Sequence, residues 1–221
     1  VEIRNLSEIP FADILKCFLD SFADYELKMP DDPEYWEWRF HVARVHYNHS
    51  YGVFEDNKMV AFILIGMDTV DGNLTAFNSG TGAIPQYRGR RLIDQLYSHA
   101  LPQWKATGVN RCSLEVLTSN HRAIRVYERI GFHRSRTLLS YLTEVTTRSI
   151  DIIVSRMDIE TMLNAAEIDQ LMYSWDFKNS AMRQSLESYG AFRVEDQSNR
   201  LIGYFCINEK RRNICQLETI D

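Results

Sequence analysis

The sequence predicts an α+β fold, and three observations carry that expectation. Amphipathic helical segments come early, alternating strand-like runs joined by short polar turns follow, and a strand–helix–strand stretch comes later. At 221 residues there is room for one large domain or two small ones, with a sizeable core.

Residues 1–4 read as a short strand. Pro10 then opens an amphipathic helix running to about residue 24, with Phe11, Ile14, Leu15, Phe18, Leu19 and Phe22 on one side. Pro30 and Pro33 punctuate a loop, and Pro33 suits the first turn of a second helix over 34–47. Residues 51–55, the Asp56-Asn57-Lys58 turn and residues 59–67 form a hairpin. The turn Asp71-Gly72-Asn73 leads into a strand over 74–84. A helix over 89–101 follows, with Leu92, Ile93, Leu96, Ala100 and Leu101 inward, and Pro102 is expected to kink or end it. A strand over 111–117, a helix beginning at Asn120 and a strand over 132–142 close the unit.

The remainder echoes this beginning. Ser188-Tyr189-Gly190-Ala191-Phe192 resembles Ser50-Tyr51-Gly52-Val53-Phe54, and each copy leads into a strand, a polar turn and an apolar strand. A strand over 149–155 and a helix over 158–173 match the start of the first unit. The expected organisation is a first domain over 1–143 and, over 144–221, the front half of a similar one, with an unrelated α/β extension as the alternative. An incomplete second sheet with a free edge would invite pairing between copies, so a homodimer is one expectation.

Composition excludes several classes. The longest apolar run, residues 59–66, falls far below the ~20 residues of a membrane span. No basic region followed by an apolar stretch marks a secretory signal, so a cytoplasmic location is expected. A net charge of −5 argues against nonspecific nucleic-acid binding. Cys17, Cys112, Cys206 and Cys215 lack metal-ligand spacing, and the apolar, alternating or periodic contexts of three of them suggest buried free thiols. His46-x-x-His49 lacks partners, so no metal is expected.

The segment from Asn120 to Phe132 is the most informative. Asn120 sits where its side chain caps a helix start, and Ala123, Ile124, Tyr127 and Ile130 recur at helical spacing. Gly131 ends the helix as a left-handed cap. With the preceding Leu114-Glu115-Val116, this run resembles the acyl-CoA-binding motif of the GNAT superfamily of N-acetyltransferases, N-x-x-A-x-x-x-Y-x-x-x-G-F, at every fixed position. In order of elements the resemblance covers about residues 1–143.

The resemblance implies a GNAT fold, with a mixed, mostly antiparallel sheet flanked by helices, acetyl-CoA as co-substrate, and transfer of acetyl to an amine on a small molecule or peptide. It implies that Tyr127 is a general acid toward the leaving sulfur. A phenol with pKa ~10 can give a hydrogen bond or proton to a thiolate whose conjugate acid has pKa ~8.5. It also implies that Asn120 and Ala123 face the pantetheine arm, and that the backbone of Thr81, Gly82, Ala83 and Ile84 holds the acyl arm. Residues 83–93 (AIPQYRGRRLI) resemble the family's phosphate loop, in which Pro85, Arg88 and Gly89 match. There the N–H groups at a helix start, through Arg90, Arg91 and Leu92, would hold a pyrophosphate. The family's two later glycines are replaced by Arg91 and Ile93, which makes close backbone approach harder; the three arginines could compensate as cationic donors.

Glu115, twelve residues before Tyr127, is the candidate base, on the expectation that a half-buried strand desolvates its carboxylate. Pairing of Glu115 with Arg111 or Arg125 is the structural alternative. Seven acids between residues 20 and 37 (Asp20, Asp24, Glu26, Asp31, Asp32, Glu34, Glu37) against Lys28 suggest attraction of a cationic acceptor. Tyr25, Tyr35, Trp36 and Trp38 would offer it aromatic surface. The rival functions are a non-catalytic acyl-CoA sensor or scaffold, and transfer of a longer acyl chain or to a hydroxyl.

Overall fold

Two apolar faces on one sheet organise the first part of the chain. The computed structural model describes residues 1–25, 27–142, 144, 151–165 and 170–220, and it divides into two units, Val1–Ser135 and Arg136–Asp221. In the first unit β1 (Glu2–Asn5), β2 (Tyr51–Glu55), β3 (Lys58–Val70) and β4 (Asn73–Ala83) pair antiparallel in that order. β5 (Arg111–Leu114) then adds in parallel to β4. The expected mixed, mostly antiparallel sheet is present.

Helix α1 (Phe11–Ser21) buries Ile14, Leu15 and Phe18, and α2 (Pro33–Val42) buries Trp36 and Phe40. Phe18 is the hub, its ring centroid 4.5 Å from Trp36 and 5.6 Å from Phe62 of β3. Helix α3 (Leu92–Ala106) packs on β2, β3 and β4 through Leu92, Leu96, Tyr97, Ala100 and Trp104, with α4 (His121–Ile130) beside it.

Tertiary contacts moved several expected boundaries. Helix α2 stops at Val42 because the chain turns at Arg44 (φ 57°), and His46 N–H donates to the Ile65 carbonyl of β3. Pro102 lies inside α3 rather than ending it. It sits on the exposed side, where water can take the carbonyl it leaves unpaired, and Trp104, 1% exposed, anchors the last turn by donating from its indole to His49 O at 2.9 Å. Leu101, expected inward, is exposed. β5 ends at Leu114, three residues early, and residues 132–142 form no strand.

In the second unit β6 (Ile153–Met157), β7 (Tyr189–Glu195), β8 (Leu201–Asn208) and β9 (Asn213–Thr219) form an antiparallel sheet in chain order. Helices α5 (Ile159–Leu163) and α6 (Asn179–Met182) bury Met162, Leu163 and Met182 against Ala191, Cys206 and Cys215. Among the described residues the expected helix over 158–173 is only α5, capped by Asp158 accepting from Thr161 N–H at 2.8 Å; residues 149–150 and 166–169 of the expected elements lie outside the described residues. All four cysteines are free, and burial pushes the Cys17 and Cys206 thiols up to about 12.

Candidate active site

Strand β4 makes the site by pairing unequally on its two edges. Toward β3 the ladder runs from Asn73 to Ala83, whereas toward β5 it covers only Thr75 to Asn78. Beyond the Asn78–Leu114 pair the two parallel strands part, and Ser79 to Ala83 have no described strand partner on that side.

One extra residue sits at the point of parting. Leu64 pairs with Gly80 and Ile65 with Asn78, so Ser79 is bulged out of the ladder. In a regular strand Asn78 and Thr81 would face opposite sides; the extra residue puts both on the α3/α4 side. Gly80 and Gly82 face α1 instead. A Cβ on Gly82 would lie 2.8 Å from Ser21 Cβ and 3.0 Å from the Phe62 ring, so glycine there lets the end of α1 approach β4.

Tyr127 reaches this place from α4. Asn120 caps the helix by accepting from Ala123 N–H at 3.1 Å. Gly131 (φ 114°) and Phe132 close it, their N–H groups donating to the carbonyls of Glu128 and Tyr127. Tyr127 is half-buried as a residue, yet its hydroxyl end lies inside, 3.4 Å from Asn78 Nδ2. Burial pushes its phenol up, while nearby Thr81 and Asn78 act to lower it. The same Asn78 Nδ2 is 2.9 Å from the hydroxyl of Tyr97, a tyrosine of α3 that is 1% exposed. Thr81 Oγ1 is near both phenols and is a buried hydroxyl without a hydrogen bond among the described residues.

The loop after β4 carries the second group of expected residues. Pro85–Tyr87 form one 3-10 turn, Gly89 takes φ 82°, and Arg91 takes φ 55° and ψ 32° as the residue capping α3. Arg91 thus adopts the left-handed conformation natural to glycine, at a cost of about 1 kcal/mol. Gln95 is the first residue of α3 to donate back into the helix, to Arg91 O, which leaves the N–H groups of Leu92, Ile93 and Asp94 at the positive end of a 15-residue helix.

The arginine side chains differ from expectation. The Arg88 guanidinium is committed to the protein: it grips both Asp24 oxygens at 2.5 and 2.6 Å, Ser21 O at 3.0 Å and Ala83 O at 3.2 Å. That fork holds the Asp24 carboxyl down at about 2. Arg90 lies over the Tyr87 ring, 4.7 Å from its centroid, and 3.3 Å from Glu55. Arg91 alone of the three has no hydrogen bond or ion pair among the described residues, and it is exposed.

Other expectations shift as well. Glu115 is exposed and lies just past the end of β5, so the desolvation that a half-buried strand would bring is absent. Ala123 N–H is taken by Asn120, and Ile84 N–H by Val60 O at 3.0 Å, so neither amide is free for a ligand. Among the expected acceptor residues, Asp24 is held by Arg88, Asp20 pairs with Lys16 at 2.9 Å, and Trp36 belongs to the core with its indole donating to Pro30 O; Glu26 lies outside the described residues.

Asn78 and Tyr97 were missed by sequence reading. The available signals were an amide directly after the apolar Ala76-Phe77 pair of a strand and a phenol on the inward face of α3, each needing a buried partner. Among the described residues no helix is long and apolar enough to cross a membrane, and no three His, Cys, Asp or Glu side chains group to hold a metal.

Comparison with known proteins agrees with this architecture. A protein from Bacillus halodurans described as a transcriptional regulator shares the fold with TM-score 0.52 and 18% identity, over 65% of this chain and 99% of its own. AAC(6')-Iy, solved with a bisubstrate analogue joining CoA to acetylneamine, aligns with TM-score 0.50 and 15% identity over 65% of this chain and 98% of its own. An aminoglycoside acetyltransferase from an uncultured soil metagenomic sample, bound to sisomicin, gives TM-score 0.50 and 10% identity over 66% and 95%. At such identities these likenesses establish a shared fold. No curated protein matches the chain significantly. The acetyltransferase (GNAT) family matches residues 11–132, more than half of the chain and the whole span from α1 through α4, so this protein belongs to the GNAT family of acetyltransferases.

Proposed function

We propose that the first unit transfers an acetyl group from acetyl-CoA directly to a primary amine on a small molecule or peptide. The observation that carries this reading is the parting of β4 from β5 beside the Tyr127 hydroxyl. An extended thioester arm fits along the one-sided stretch from Ser79 to Ala83, where Thr81 Oγ1 is a buried hydroxyl still able to donate. Its diphosphate fits at the first turn of α3, near Leu92, Ile93 and Asp94, with Arg91 the cation free to approach it. Arg88 serves by tying this loop to the end of α1.

The chemistry then needs one acid and one proton acceptor. The amine nitrogen bonds to the thioester carbonyl carbon, the carbon–sulfur bond breaks, and the sulfur takes the proton of the Tyr127 hydroxyl. The nitrogen's own proton leaves through Glu115, which follows the last paired residue of β5, is exposed and can exchange the proton with water, and water returns a proton to Tyr127. The exposed acids of α2 and of the loop before it, Asp31, Glu34 and Glu37 among them, favour a cationic acceptor over an anionic one. Residues 144–221 read as the front half of a second domain of this kind, supported by the matching order of four antiparallel strands.

Isothermal titration with acetyl-CoA, followed by thiol release over a panel of amines, tests the proposal. Binding with amine-dependent release is the expected result. Binding without release would make the protein a sensor, and absence of binding would overturn the reading.

A further inference from the structure

Asn78 has a fixed orientation, and that fixes more than its own place. Its Oδ1 accepts the Gly80 backbone N–H at 3.0 Å across the bulge. A backbone N–H can only donate, so the amide oxygen must lie on that side and the NH₂ on the other. The NH₂ then points its two hydrogens at two phenol oxygens, Tyr97 at 2.9 Å and Tyr127 at 3.4 Å. A phenol that receives a hydrogen bond at its oxygen keeps its own hydrogen for a different direction. For Tyr127 the polar neighbour left on that face is Thr81, beside the stretch where β4 has parted from β5.

We infer that Asn78 is a positioning residue for acetyl transfer: clamped by Gly80 N–H, it presents its amide hydrogens to Tyr127 and so turns the Tyr127 proton outward, toward the leaving sulfur. It acts again after the proton has left, since the same amide hydrogen then faces a phenolate in a buried setting. The bulge at Ser79 is what places Asn78 on the phenol side while keeping Gly80 N–H within its reach. Tyr97, almost fully buried, holds the amide's other hydrogen and keeps the NH₂ from rotating away. Among the described residues, the other titratable groups facing this cluster are Tyr25, from the chain after α1, and Cys112 of β5.

The inference rests on Tyr127 being the acid, and its test separates the two. Asn78→Asp keeps the shape and the Gly80 contact but replaces the donor with an acceptor, which turns both phenol hydrogens inward. The expected result is a kcat about tenfold lower or more, acetyl-CoA affinity within about twofold of the parent, and no further loss when Asn78→Asp is added to Tyr127→Phe. Asn78→Leu, which removes the donor without adding a charge, is expected to behave alike and carries the test if the aspartate variant does not fold. A folded Asn78 variant with parental kcat, or losses that multiply in the double variant, would overturn the positioning role while leaving Tyr127 as the acid. If Tyr127→Phe itself retains parental kcat, the general acid falls and this inference with it.

Discussion

The fourth strand of each unit carries the same irregularity with different surroundings. In the first unit Ser79 bulges between Asn78 and Gly80; in the second Cys215 bulges between Ile214 and Gln216. Upstream the parallels continue, because a 3-10 turn ending at a buried serine region leads into β2 as into β7, and Gly52 and Gly190 hold corresponding places. At the bulges the chemistry diverges. Gly80 leaves room for Phe18, while Gln216 is 1% exposed and donates to Phe177 O at 2.7 Å and Asn179 Oδ1 at 3.0 Å. Asn78 meets two phenols delivered by α3 and α4, whereas Ile214 is 60% exposed. A bulged fourth strand is therefore scaffold; what sets the first unit apart is an amide at the first position and helices that bring hydroxyls to it.

The comparison breaks most sharply at Gly82. Valine there would drive a Cβ against Ser21 and the fully buried Phe62, and the expected cost is about 3 kcal/mol, measured as a lower denaturant midpoint. An unchanged midpoint would mean that α1 moves freely off β4. In the second unit Gln216→Leu leaves two acceptors without their donor, with an expected loss of about 1–2 kcal/mol. Acetyl transfer, measured well below the unfolding transition, is expected to stay at the parental rate. A lost rate would show that the second unit takes part in the chemistry.

A smaller effect belongs to the Arg88–Asp24 fork. Arg88→Lys gives up the two-pronged grip, and because the Asp24 carboxylate is largely exposed, acetyl-CoA binding is expected to weaken only about two- to fourfold. The pH dependence has a definite sign. Asp24 is held at about 2, below its unfolded value, so its contribution is complete above the ordinary carboxylate range and is lost as pH falls toward 2. The stability difference between the parent and Asp24→Asn should shrink across that acid window; a difference that persists at its lower end would place the stabilisation elsewhere.

Much of this was legible in the sequence where local rules govern. Asn120, Ala123, Tyr127 and Gly131 declare a capped helix because capping and helical spacing are local properties, and the structure places them so. The α1 stripe and the hairpin of β2 and β3 followed for the same reason. What was not legible depends on register. A strict two-residue alternation puts Asn78 and Gly80 on one face, and only the pairing with β3 reveals that Ser79 is extra. Likewise the early end of α2 follows from a backbone bond to β3, and Pro102 is tolerated because it faces water and Trp104 is anchored to His49, 55 residues away. Arg88 looked like a phosphate donor until the fold brought Asp24 to it across 64 residues. Glu115 looked half-buried because alternation was extended past the point where β5 stops.

A crystal structure of the protein with CoA would show the path of the thioester arm itself. The expected result is a pantetheine arm lying along Ser79–Ala83 between the parted strands, the diphosphate at the first turn of α3, and the sulfur within hydrogen-bonding reach of the Tyr127 hydroxyl. CoA bound away from that parting, or with its sulfur turned from Tyr127, would contradict it.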